Sequence, residues 1–161
     1  MGGANNSFPQ FLLLLRKGEH ITMDFKVFLE GAKAIEETTF VASKRYMEKG
    51  KPVEWKLRPI NSGLDDALRK SCTRRVPVTG KRGQFTMELD NDAYIAKMCV
   101  ETIVEPNLKD AEFQNAFGVM SGEDLLHKLL LSGEYTDLKN KVLEVNGYDM
   151  DMDELVEEAK N

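Results

Sequence analysis

Apolar residues along this chain follow two rhythms, and the rhythms divide it into elements. Phe25, Phe28 and Leu29 stand at i, i+3, i+4, one face of a helix, so residues 23–34 predict a short helix that Gly31 ends. The next stretch changes period. Thr38, Thr39, Phe40 and Val41 are strand formers, and Val53, Trp55 and Leu57 alternate with Glu54, Lys56 and Arg58. Between them "EKGK" supplies a turn, with Gly50 free to take positive φ, and Pro59 limits the strand. These residues predict a β-hairpin over about 38–60 with one apolar and one basic face.

Helical spacing then returns. Ser62 with Asp65 resembles a capping box ahead of Leu64, Leu68 and Cys72, giving a helix over 63–74 that Pro77 stops. "VPVTGKRGQFTMEL" holds two short β-like runs, a second short hairpin over about 76–88. Tyr94, Ile95, Met98, Cys99, Thr102 and Ile103 form the stripe of a central helix from Asp90 to Glu105, ended by Pro106. "LKDAEFQNAFG" is a short helix closed by Gly118. Ser121 and Asp124 open a leucine-rich helix that runs to Ser132 before Gly133. Leu138, Val142 and Val145 mark another, ending at Gly147, and Asp151–Lys160 reads as a last, acidic helix. Short links between the later helices make them pack on one another. The expected fold class is α+β: a mainly helical single domain with one clear hairpin and a second, shorter one.

Length and composition fit that picture. The chain has 161 residues, 42% hydrophobic and 30% charged, enough for one domain with a real core. Net charge is −5, which argues against nucleic acid as the main partner. The charge is uneven: residues 1–83 carry 16 Lys/Arg against 9 Asp/Glu, and residues 84–161 carry 6 against 18. Such halves can attract each other, neighbouring copies or charged partners. Cys72 and Cys99 stand alone at apolar positions, with no CxxC, and read as core residues of a reducing compartment.

The N-terminus carries a five-residue apolar run, Phe11–Leu15, far short of the ~20 residues of a membrane span. Its charge follows the run, the reverse of a signal peptide. Lys17-Gly18-Glu19 can be encoded by a sequence resembling a bacterial ribosome-binding site just before Met23. Residues 1–22 are therefore expected to be upstream translation, leaving 23–161 as the domain. An intact mass of the natively expressed protein that included residues 1–22 would sink that expectation.

Motifs for catalysis fail one by one. "TGKRG" lacks the spacing and the Ser/Thr of a P-loop. His20 and His127 are the only histidines, which rules out a multi-histidine metal site, and His127 has no partner by motif. "DMDMDE", Asp149–Glu154, imitates an EF-hand opening but lacks its Gly and its final Glu. No enzyme activity and no cofactor is expected.

Two constellations survive. Arg69, Lys70, Arg74, Arg75, Lys81 and Arg82 fall within 14 residues. They are either a solvated face or an electrostatic contact with an acidic partner, another copy's C-terminal half included. Leu125, Leu126, Leu129 and Leu130, with Leu131, cover more of one helix than a single core face needs. They are either sandwiched between neighbours or partly exposed as a docking surface.

Several stretches together resemble a family: "FVASKRYMEKGKPVEWKLRPI", "LRKSC", "GKRGQFTMELDNDAYIAKM", "EPNLKDAEFQNAFGVMSGEDLLHKLLLSGEYTDL" and "VNGYDMDMDELVEEAKN". In that order they are similar to the XkdN-like phage tail assembly chaperones of phages and prophages of Gram-positive bacteria. The resemblance runs from about Phe25 to Asn161. It implies a non-enzymatic protein of the host cytoplasm that binds the tape-measure protein, keeps it soluble, helps recruit tail-tube subunits and is absent from the finished tail. It carries no catalytic residues over. Glu158–Asn161 can be encoded with a slippery heptamer, so a frameshifted longer form is a further expected partner, beside a homo-oligomer. The rival reading is a nucleic-acid-binding regulatory protein using the basic cluster 69–82.

Overall fold

The computed structural model describes residues 23–33 and 35–148, which fall into two units, Met1–Ile35 and Glu36–Asn161. The expected acidic helix over 151–160 and the EF-hand-like run lie outside the described residues.

In the first unit, helix α1 (Lys26–Lys33) runs through Gly31 instead of stopping there. One Gly in a helix costs only about 1 kcal/mol against Ala, and Gly31 has no left-handed φ with which to break the turn. The helix buries none of its residues.

The second unit opens with the first hairpin, placed as the sequence predicts but interrupted. Strand β1 (Thr38–Phe40) pairs antiparallel with β4 (Trp55–Leu57), Thr38 opposite Leu57 and Phe40 opposite Trp55. Between them β2 (Met47–Glu48) and β3 (Lys51–Pro52) form a separate ribbon. Its turn is Lys49-Gly50, both with positive φ, the geometry that matches strand twist in a two-residue loop.

Helix α2 spans Ser62–Cys72. Its cap is Asn61, whose Oδ1 accepts from the Leu64 N–H at 2.9 Å, so the Ser62–Asp65 capping box does not form. Asp65 is drawn instead to Tyr94 and Arg69. The chain then extends directly into β5 (Thr73–Pro77), which pairs with β6 (Phe85–Leu89) in register from Thr73↔Leu89 to Pro77↔Phe85. This second hairpin starts three residues earlier than the sequence predicts, with β-branched Thr73 as C-cap of α2.

Helix α3 (Asn91–Thr102), capped by Asp90, is the centre of the unit: α2 and the two later helices described below all pack on it. It ends three residues before the expected Glu105, because Ile103–Glu105 form strand β7. β7 pairs antiparallel with β4, which completes a three-stranded sheet in the order β1-β4-β7. Thr102, Ile103 and Val104 are β-branched, and a residue before proline avoids the helical region. A sheet edge was available to take the segment, and Lys56 pairs with Glu105 at 2.8 Å across it.

Helix α4 (Ala111–Ala116) ends in a Schellman turn: Gly118 takes φ +66° and the Val119 N–H reaches the Gln114 carbonyl at 3.1 Å. Helix α5 (Gly122–Leu129) starts at Ser121, whose Oγ accepts from the Asp124 N–H at 3.1 Å. A Cβ at Gly122 would stand 2.8 Å from Val100 Cγ1, so glycine is what lets this end of α5 come down on α3. Helix α5 stops at Leu129, earlier than the expected Ser132, and Gly133 lies inside helix α6 (Ser132–Val145) rather than closing α5. The backbone extends at Leu130 and Leu131, and Glu134 caps the new helix by accepting from the Leu131 N–H at 2.8 Å. Helix α6 closes as expected on Gly147, φ +83°, with the Tyr148 N–H on the Leu143 carbonyl.

Candidate interaction surfaces

The leucine block is core. Leu125, Leu126, Leu129 and Leu130 are all buried, Leu125 and Leu126 completely, and the block joins one cluster with Met98, Cys99, Leu138 and Val142. The second leucine face therefore meets the chain's own helices and not a partner. Only Leu131 of the block is exposed, at the break between α5 and α6. That break is clamped from the β1–β2 loop. Tyr46 Oη donates to the Leu129 carbonyl at 2.6 Å and Arg45 Nη2 donates to it at 2.9 Å, so the carbonyl that α5 leaves open is satisfied twice. Nothing in the sequence pairs these groups, which lie 83 and 84 positions apart.

The same clamp holds Glu134. Its Oε2 lies 2.7 Å from Arg45 Nη2, and its Oε1 accepts from Ser43 Oγ at 2.7 Å. Arg45, with the Leu131 N–H and the Ser43 hydroxyl, holds the carboxyl down to about 2, from an ordinary 4.5. A lowered folded-state pKa stabilises the fold above the unfolded value, and that contribution drains away as pH falls from about 4.5 toward 2. We expect Glu134→Gln to flatten the acid side of the stability curve. Thermal melts of both proteins at several pH values in that window check it, and parallel curves would refute it.

The basic cluster does not act as one patch. Arg69 turns inward: its Nε lies 3.2 Å from Asp65 Oδ2 and its guanidinium sits 4.5 Å over the Tyr94 ring. Tyr94 Oη donates to the other oxygen of Asp65, and the Tyr148 hydroxyl lies 3.5 Å from Asp65 Oδ2. Burial, then this hydrogen bond, pushes the Tyr94 hydroxyl pKa well above its ordinary range. Lys70, Arg74, Arg75, Lys81 and Arg82 stay exposed and form no ion pair among the described residues. Four of them belong to the β5–β6 hairpin, a ribbon with both faces largely in solvent. Cross-strand partners share a face, so Arg75 and Met87, and Pro77 and Phe85, form one side of it. The Arg75 guanidinium lies 4.0 Å over the Phe85 ring. At the tip an open recess of about 400 Å³ is lined by Val78, Lys81, Arg82 and Phe85. The sequence marks this arm through its charge, but not the exposure of Phe85 and Met87.

Exposed apolar side chains concentrate elsewhere too. Met23, Phe25, Val27, Phe28, Leu29 and Ile35 are six of the fourteen large ones exposed among the described residues. Phe25, expected within the helix on one face with Phe28 and Leu29, lies just before α1 and is exposed.

Both cysteines are buried, and burial pushes the Cys99 thiol up to about 12. His127 is exposed and meets Tyr135 edge-on at 4.8 Å. Among the described residues no cluster of His, Cys, Asp or Glu is placed to hold a metal ion, and no helix is long and apolar enough to cross a membrane.

Comparison with known proteins places this geometry. Residues 25–160 match the family described as phage XkdN-like tail assembly chaperone protein. The uncharacterized protein YqbN of Bacillus subtilis is 35% identical over 141 residues, covering 86% of this chain and 93% of its own. The XkdN protein of the phage-like element PBSX, from the same organism, is 32% identical over 149 residues, covering 90% and 98%. A crystal structure of YqbN superposes with a TM-score of 0.65 at 28% identity, over 81% of this chain and all of that one.

Proposed function

Since the chain belongs to the phage XkdN-like tail assembly chaperone family, we infer that it binds the tape-measure protein in the host cytoplasm. It holds that protein soluble while tail-tube subunits assemble, and it leaves before the tail is finished. It works by binding and not by catalysis. The observation that carries this reading is where the apolar surface lies. The core has absorbed the leucine block, so docking falls to α1, with Phe28 and Leu29 on one face, and to Phe85 and Met87 on the arm. A tape-measure protein with long apolar helical stripes is an aggregation hazard that such faces can cover. Binding of limited area is also compatible with release.

Co-expression tests the reading. With this chain present, the tape-measure protein is expected in the soluble fraction and in the pull-down. The double variant Phe28→Asp, Leu29→Asp should lose both effects while the melt of the second unit stays unchanged. A pull-down that recovers nucleic acid with steep salt dependence, and no tape-measure protein, would transfer the function to the basic arm as a nucleic-acid site.

A further inference from the structure

The β5–β6 arm presents cations with no partner among the described residues, and the chain ends in an acidic sequence of 13 residues that could supply one. The last described residue, Tyr148, is fixed in space. Its N–H bonds the Leu143 carbonyl, and its hydroxyl lies beside Asp65 on α2. Asp65 is eight positions before Thr73, where the arm begins, which is about 12 Å along a helix. The five residues of β5 add about 17 Å. Their sum, about 29 Å, is the path along the two elements from Asp65 to the far end of the strand. Beyond Tyr148 lie 13 residues, about 43 Å of extended chain, which exceeds that path and brings Arg74 and Arg75 of β5 within reach.

The chemistry of those 13 residues matches. They hold six carboxylates and a single lysine, with Met150, Met152, Leu155 and Val156 interspersed. The arm offers Arg74, Arg75, Lys81 and Arg82 against one acid, Glu88; Arg75 shares a face with exposed Phe85 and Met87, and Arg74 lies opposite Glu88 on the other. Guanidinium–carboxylate pairing and thioether contact with an aromatic ring are both available on the same face. Tethering decides between this chain and a neighbour: a segment of the same chain meets the arm at a millimolar effective concentration, above that of free copies at ordinary protein concentrations.

We propose that residues 149–161 fold back across the β5–β6 arm of their own chain and cover its basic, apolar face. The tail is then an internal competitor. A partner that uses the arm displaces six carboxylates first, and binding at the arm frees the C-terminus. This inference is independent of what α1 binds.

A spin label on Asn161→Cys in the full-length chain tests it, since Cys72 and Cys99 are buried. Isotope-labelled protein carrying the label is expected to lose cross-peak intensity at residues 74–76 and 84–88. The loss should disappear at about 1 M salt, where screening falls to about 3 Å. It should also disappear when Asp151, Asp153, Glu154, Glu157 and Glu158 are changed to their amides. A mixture of isotope-labelled chain without the spin label and spin-labelled chain without isotope should show no loss. Loss in the mixture would overturn the proposal in favour of a second copy. An unperturbed arm in both samples would overturn it outright. Unchanged melts of the amide variant establish that its result reports on docking and not on folding.

Discussion

Leu126→Asp is expected to remove the cooperative thermal transition of this protein or to lower it by more than 10 °C. Leu126 has no exposed surface and lies within the cluster that α3, α5 and α6 share. Shortening a buried leucine costs about 2–5 kcal/mol through lost burial and the cavity left behind. A carboxylate in that space adds a desolvation penalty of several kcal/mol unless it takes up a proton. Together these approach the whole stability of an ordinary domain, about 5–15 kcal/mol. Leu131→Asp, five positions on, should change the melt by no more than about 0.5 kcal/mol, because Leu131 is more than half exposed. Circular dichroism melts of the two variants side by side make the measurement. If Leu126→Asp melted like the parent and lost only a partner, the leucine block would be a docking surface after all.

That contrast shows how far the sequence reaches. Five leucines in seven positions announce an apolar helix, and the widths of its faces follow from 100° per residue. What covers each face is a tertiary fact: α3 lies before the block and α6 after it, and no periodicity says that both close on it. Local signals were legible for local reasons. Gly118 and Gly147 end helices because a left-handed residue is needed there, and the Lys49-Gly50 turn follows from the same chemistry. Strand β7 was not legible. Its three residues extend a helical stripe without a break in spacing, and only their pairing with β4, nearly 50 positions earlier, makes them a strand. The basic arm was visible as charge, yet its members part company. Arg69 is claimed by Asp65 and Tyr94, contacts fixed by the packing of α2 on α3. Charge counts carry no information on which cation is already spent.

Asn146→Leu is expected to cost about 3 kcal/mol, although it keeps the size of the side chain and adds apolar surface. Asn146 is the C-cap of α6 and joins three parts of the fold. Its Oδ1 accepts from the Ile60 N–H at 2.9 Å, and its Nδ2 donates to Thr102 Oγ1 at 2.9 Å and to the Val142 carbonyl at 2.8 Å. Thr102 is fully buried, so its hydroxyl has no water to turn to. Each buried group left without a partner costs about 1–3 kcal/mol, more than the bond contributed when made. Removing the other partner as well should therefore recover part of the loss. The double variant Thr102→Val, Asn146→Leu is expected to be less destabilised than the sum of the single variants by about 1 kcal/mol. Denaturant titrations of the four proteins supply the cycle, and strict additivity would show that the amide does not act through Thr102. The consequence extends past the cap. Gly147 and Tyr148 follow directly, and their turn seats Tyr148, the last described residue, on Asp65 of α2. Loss of the Asn146 anchor should therefore raise amide exchange at Gly147 and Tyr148 before it raises exchange in α3. The same anchor that ties the end of α6 to the β4–α2 loop and to the end of α3 thus also fixes the turn at Gly147 and Tyr148.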